Sequence, residues 1–143
     1  MTGMLEKALV GRMATVNRKG YPVIKPLNFL YYDSKIYFHC SMKGEKMQDI
    51  RRGSPVCFEI DEPIAYVAAR GPACQAGYYY RSIIIKGSAL WVRHRGKKLE
   101  ILGKLMEKYQ PEGGYGEISD EVLKKTAVVE ISFHEITGKQ KLG

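Results

Sequence analysis

Residues 36–53 read IYFHCSMKGEKMQDIRRG, and the rest of the chain is organised around them. The run Ile36-Tyr37-Phe38-His39-Cys40 has the period of a strand. Ile36, Phe38 and Cys40 fall on one face, and Tyr37, His39 and Ser41 on the other. Met47 and Ile50 then recur at helical spacing, and Gly53 closes the piece. Between strand and helix stand a hydroxyl, a glycine and a lysine, in Ser41-Met42-Lys43-Gly44-Glu45-Lys46. These groups at a helix start suit a phosphate, because exposed backbone N–H groups attract an anion and the lysine adds a point charge. On this reading the polar strand face turns toward a ligand while the apolar face packs inward. The spacing is not the G-x-x-x-x-G-K-[ST] of a P-loop. An ordinary strand–turn–helix with a solvated Lys46 would carry the same residues.

Working toward the N-terminus, residues 21–32 form a second apolar run, broken by Pro22 and Pro26. Proline inside a strand marks an edge, an end or a bulge. Asn17-Arg18-Lys19-Gly20 is a turn, with glycine able to take positive φ, and residues 10–17 supply the strand before it. Residues 1–9 read as a short helix. Toward the C-terminus, residues 55–61 are a strand with Val56, Phe58 and Ile60 on one face. Residues 62–77 hold Pro63, Gly71, Pro72 and Gly77 and read as a long loop. Residues 78–92 are a long strand in which Gly87 marks a bulge or bend. Leu99, Leu102, Met106 and Tyr109 give residues 97–109 helical periodicity. Ser119 followed by two acids starts another helix. Residues 126–137 are the last strand, and residues 138–141 a tail. Strands linked by turns, with a few helices between them, predict a mainly β fold: an antiparallel barrel with residues 44–52 and 97–109 packed outside it as helices. A parallel sheet would need helices between most strands.

Composition narrows the classes. The chain has 143 residues, 45% of them apolar, enough for one domain with a core. No apolar run approaches the roughly 20 residues that span a bilayer. Glu6 and Lys7 follow Met4-Leu5, so the start lacks a signal-peptide pattern, and the expected location is cytoplasmic. Cys40, Cys57 and Cys74 are too scattered for a disulfide framework or a metal cluster. Cys40 and Cys57 read as core groups and Cys74 as a loop residue. The net charge of +8 is spread along the chain. It suits a solvated face with a pocket for an anionic cofactor better than a nucleic-acid surface.

The ordered set GRMATVNRKGYPVIKPLNFLYYDSKIYFHCSMKGEKMQDIRRGSPVCFEID, then YYYRSIIIKGSA, then a strand ending ITGKQ, resembles the pyridoxamine 5′-phosphate oxidase-like FMN-binding split-barrel family, over roughly residues 9–140. Its nitroimidazole-resistance (Nim) type of flavoprotein is the subgroup most similar in pattern. The resemblance implies one domain over residues 1–143: a six-stranded antiparallel split β-barrel with flanking helices, dimerising with FMN at the subunit interface. Carried over by motif, Lys25, Pro26, Leu27 and Asn28 line the isoalloxazine ring. His39, Cys40, Ser41, Gly44, Glu45 and Lys46 hold the ribityl chain and phosphate, and Arg81 and Ser82 lie near the flavin. Asn28 offers both a donor and an acceptor, and a guanidinium fits a phosphate bidentately. The chain lacks the Arg-x-x-Leu-Lys and Ser-Arg-Lys patterns of the vitamin B6 oxidases, which argues against their substrate.

The function implied is an FMN-dependent oxidoreductase passing electrons from NAD(P)H or another donor to a small electron-poor acceptor such as a nitroaromatic. His39 would orient or protonate the acceptor. Three alternatives stay open: a non-catalytic FMN carrier, haem or a deazaflavin on the same barrel, and a basic nucleic-acid-binding barrel. Read alone, His39 is an ordinary packed or surface histidine, Trp91 a core or interface residue, and Lys139-Gln140 either a frayed tail or a reach toward a partner's flavin.

Overall fold

The computed structural model describes residues 2–142. Met1, the start of the expected first helix, and Gly143 lie outside them. The elements run α1 (Thr2–Lys7), β1 (Gly11–Val16), β2 (Pro22–Leu27), β3 (Leu30–Tyr32), β4 (Lys35–Ser41), α2 (Glu45–Arg51) and β5 (Pro55–Val67). A 3-10 turn (Ala73–Gln75) follows, then β6 (Gly77–Trp91), α3 (Arg95–Tyr109), α4 (Asp120–Lys125) and β7 (Thr126–Lys141). Every strand pair is antiparallel, and the seven strands form one sheet in the order β2-β1-β5-β6-β7-β4-β3. The mainly β, split-barrel expectation holds, with seven strands among the described residues instead of six.

The extra strand comes from residues 21–32, expected as one strand. β2 pairs with β1 at one edge of the sheet, and β3 pairs with β4 at the other. Only Asn28 and Phe29 separate them, so the two edges approach within about 11 Å, the reach of three peptide units. The sheet must curl until its edges nearly meet, without a ladder between them: a barrel with a split. Phe29 is fully buried there, edge-on to Phe58 at 5.0 Å between centroids. Pro26 sits in β2 on the sheet edge, where a missing N–H is tolerated.

Two further expectations need correction. The expected loop at 62–77 is strand over its first part and a loop only from residue 68 to 76. β5 runs on to Val67 and pairs through Tyr66 with Tyr78, whose rings meet at 5.4 Å. Pro63 did not end the strand because the register shifts between Pro63 and Ala65. The tail at 138–141 is also strand, since Gly138 pairs with Ile83 and Lys141 with Tyr80. Both follow from one cause: β6 begins at Gly77 and gives each neighbour a partner. The bulge is where Gly87 marks it, with a register shift between Lys86 and Gly87.

The core fills the curled sheet with Met13, Phe29, Ile36, Phe38, Phe58, Ile60, Ile85, Val129 and Ile131, capped by Leu5 of α1. A second cluster lies outside the sheet. Ile101, Leu102 and Leu105 of α3 and Leu123 of α4 cover Val128 and Tyr37. Tyr37 therefore does not share an open polar face with His39 and Ser41, because α3 buries it completely. Ser119 caps α4 as expected, its hydroxyl accepting from Val122 N–H at 3.2 Å. The α3 cap is His94, whose Nδ1 accepts from Lys97 N–H at 3.1 Å.

Candidate functional site

The end of β4 opens into a cavity of about 520 Å³ lined by Lys25, His39, Cys40, Ser41, Gly44, Glu45, Lys46, Lys125 and Thr126. Seven of these are residues that the sequence pointed to, brought together from two strands and a helix. β4 delivers His39 to Ser41. The chain then turns, Gly44 N–H donating to Ser41 O at 3.3 Å. α2 is held down by Met47 and Ile50 in the core and by Asp49, a buried carboxylate. Asp49 accepts from Thr15 Oγ1 at 2.9 Å and is paired with Arg52. These anchors fix where Lys46, one turn earlier, emerges. Lys25 of β2 reaches Glu45 at 3.0 Å and ties the two motif segments together.

The electrostatics suit an anion. Three lysines face one carboxylate, and that carboxylate is taken by Lys25. Among the described residues, Lys46 makes no ion pair, and Lys125 has only an exposed contact to Glu121 at 3.5 Å, too solvated to hold it. His39 is exposed at the surface of β4; the partial desolvation of its ring and then the Lys46 charge push its pKa below the usual value. Burial pushes the Cys40 thiol up, only partly opposed by Lys46 and Arg51, so it is not a ready nucleophile. Gly44 has φ −73°, open to any residue, and an added Cβ would meet only Ser41 O at 3.6 Å. Its glycine leaves room in the cavity and serves no conformational need.

The remaining predicted residues lie elsewhere. Pro26, Leu27 and Asn28 continue β2 away from the cavity toward the split. Pro26 and Asn28 are exposed, while the Leu27 side chain is in the core and has only its backbone to offer. Arg81 and Ser82 line a separate cavity of about 530 Å³ with Gly3, Met4, Lys139 and Gln140. There Arg81 Nε donates to Gln140 Oε1 at 3.3 Å. Within one chain the structure does not bring them to Lys46. Sequence reasoning missed Lys125 and Thr126. They reach the site because Thr126 pairs with Ser41 across the β4–β7 ladder and Lys125 O accepts from Met42 N–H at 3.2 Å, a register that no local pattern announces. Among the described residues no three His, Cys, Asp or Glu side chains cluster as metal ligands, and no helix is long and apolar enough to cross a membrane.

The antiparallel strands thus form a split barrel with a lysine-lined cavity at the end of one strand. The chain belongs to the pyridoxamine 5′-phosphate oxidase family, whose model matches residues 2–140. No curated protein sequence matches it significantly. Among solved structures it is similar to the flavocytochrome Anf3 from Azotobacter vinelandii (TM-score 0.89, 19% identity, 99% of this chain and 66% of that one). It is also similar to an FAD- and haem-binding protein from Mycobacterium smegmatis (0.88, 19%, 98% and 69%). A third is a candidate 5-nitroimidazole antibiotic resistance protein from Bacteroides thetaiotaomicron (0.82, 19%, 96% and 80%). This chain thus spans just under two thirds of the flavocytochrome. At such identities the likeness is one of fold.

Proposed function

We propose that the chain binds a flavin and serves as an oxidoreductase for a small, electron-poor acceptor, with FMN as the cofactor and a nitroaromatic as the acceptor class. One observation carries the reading: Lys46 and Lys125, both without a strong ion pair, converge with Ser41 and Thr126 on a cavity that Gly44 keeps open. That donor set fits a phosphate monoester, and the segment Lys25–Asn28 leads away from it along β2, as a ring attached to the phosphate would. The family supports the reading. So do similar folds in a flavocytochrome, an FAD- and haem-binding protein and a candidate nitroimidazole resistance protein.

A bound flavin would supply the electron transfer itself; the chain's residues bind and orient. Lys46 and Lys125 neutralise the phosphate. Ser41 offers a hydroxyl beside it, while Thr126 Oγ1 donates to Val122 O at 2.8 Å and only lines the wall. His39 orients the acceptor or donates a proton to it. We further propose a homodimer in which Arg81, Ser82, Lys139 and Gln140 of one protomer complete the flavin site of its partner. Exposed Ile64, Tyr66, Tyr78 and Ile84 on β5 and β6 give such an interface apolar surface to cover.

The first test is the visible spectrum of the purified protein and the mass of any released cofactor; haem or deazaflavin bands would replace this reading. The second is anaerobic mixing of the chemically reduced protein with a nitroimidazole. Reoxidation faster than that of free reduced FMN, and slowed by His39→Ala with flavin still bound, is expected. A rate equal to free FMN would leave a flavin-binding protein without this activity.

A further inference from the structure

Phe29 stands where the sheet is interrupted, and neither flanking strand gives its backbone a partner. β2 ends its pairing with β1 at Leu27, and β3 begins its pairing with β4 at Leu30. A buried N–H and C=O left unpaired are costly. Both are met by consecutive side chains from the last turn of α3. Tyr109 Oη accepts from Phe29 N–H at 3.0 Å and donates to Leu9 O at 2.7 Å, which ties in the approach to β1 as well. Lys108 Nζ donates to Phe29 O at 2.7 Å and lies 3.9 Å from the centroid of the Phe29 ring. The two side chains stand in for a missing strand across the split.

We propose that Tyr109 and Lys108 are positioning residues for the flavin ring: by fixing both peptide groups of Phe29 they set the neighbouring Asn28 and the ring-lining segment that ends there. This rests on the flavin reading above. Asn28 is exposed and makes no side-chain hydrogen bond among the described residues. Its place is therefore set by what flanks it, Leu27 in the core on one side and the clamped Phe29 on the other. A helix on the outside of the barrel, contributing nothing to the Lys46 cavity, thereby controls the other end of the proposed ligand.

The test uses Tyr109→Phe, which removes the hydroxyl and keeps the ring, with Kd for FMN and for riboflavin and the visible circular dichroism of the bound flavin as readouts. The variant loses the bonds to both Phe29 and Leu9; the one that holds Phe29 predicts that both Kd values rise by the same factor, about fivefold, and that the dichroic band of the bound ring changes. A merely structural role would leave that band alone. Lys108→Met leaves Tyr109 in place, is expected to give a loss of the same kind, and decides the matter if Tyr109→Phe does not fold. Unchanged affinity and dichroism in a folded variant would overturn the proposal, as would a loss confined to FMN, which belongs to the phosphate end. A wild-type protein that binds neither flavin would instead remove the flavin reading itself, before any variant is compared.

Discussion

Replacing Gly87 with alanine is predicted to be among the most damaging single-methyl additions in this chain. A Cβ built there would lie 1.9 Å from Ser132 O and 3.0 Å from Ser132 C, with Ile131 Cγ2 at 3.5 Å. The obstacle is backbone and cannot rotate away. Restoring an ordinary C···O contact moves β7 outward by more than about 1 Å. Gly87 pairs with Phe133, Ser88 with Ser132 and Ala89 with Ile131, so two or three ladder hydrogen bonds are stretched, at about 0.5–1.5 kcal/mol each. Ile131, fully buried, is pulled from its packing at a further cost of about 1 kcal/mol or more. The sum, about 2–5 kcal/mol, is a large share of the 5–15 kcal/mol typical of a domain. Gly103 is the control. It lies inside α3 with nothing within 4 Å of an added Cβ, so Gly103→Ala should stabilise by about 0.5–1 kcal/mol. Urea unfolding followed by circular dichroism reads both as midpoint shifts of opposite sign at constant m. A cost below about 1 kcal/mol for Gly87→Ala would refute the reasoning, because it would mean that the β6–β7 ladder opens freely at the bulge.

Three other perturbations separate the site from the scaffold. Lys46→Ala should weaken FMN by roughly tenfold or more, the worth of a charge-assisted hydrogen bond, and leave riboflavin unchanged; equal losses measured by fluorescence titration would remove Lys46 from the phosphate. Gly44→Ala should fold with a stability change below about 1 kcal/mol, since its φ and contacts are ordinary, yet lose flavin affinity; unaltered affinity would show that the ligand does not use this cavity. Burial pushes the Lys108 pKa down to about 8 from 10.5. The unfolded chain therefore holds a proton that the folded one releases, and stability should rise with pH from about 8 toward 10.5. The full shift would give ~3 kcal/mol, and water around a half-buried ammonium reduces it. Urea midpoints of the wild type minus those of Lys108→Met, between pH 7.5 and 9.5, should climb; a flat difference would contradict the shift.

Much of the scaffold was legible because its signals are local. Alternation at Ile36/Phe38 and Val56/Phe58/Ile60, the Asn17–Gly20 turn, the period of Leu99 and Leu102, the Ser119 cap and the Gly87 bulge each depend on neighbours within a few residues. What escaped depends on pairing between distant segments. Nothing in residues 21–32 says that the halves of one apolar run face opposite edges of the sheet. Residues 138–141, with a glycine and two lysines, look like a tail until β6 is known to begin at Gly77. Tyr37 reads as part of an open polar face until α3, some 60 residues on, is seen to cover it. The same holds for the site. His39 to Lys46 is one contiguous stretch and was readable, whereas Lys125 and Thr126 join it through a register, and Tyr109 reaches Phe29 across 80 positions.

Among the described residues β7 comes latest in chain order and is yet an interior strand. It pairs with β6 over Tyr80–Trp91 on one side and with β4 over Ile36–Ser41 on the other. On a ribosome, everything before residue 126 would emerge as two separate sub-sheets, β2-β1-β5-β6 and β4-β3, each with an unpaired interior edge. The nascent chain would expose these edges until β7 clears the exit tunnel. Only its insertion, like a key log placed last, would join the two pieces and bring Lys125 and Thr126 to the cavity. Assembly of the fold and completion of the lysine-lined cavity would then be one kinetic event, and a chain stalled before that point would present sticky edges to chaperones.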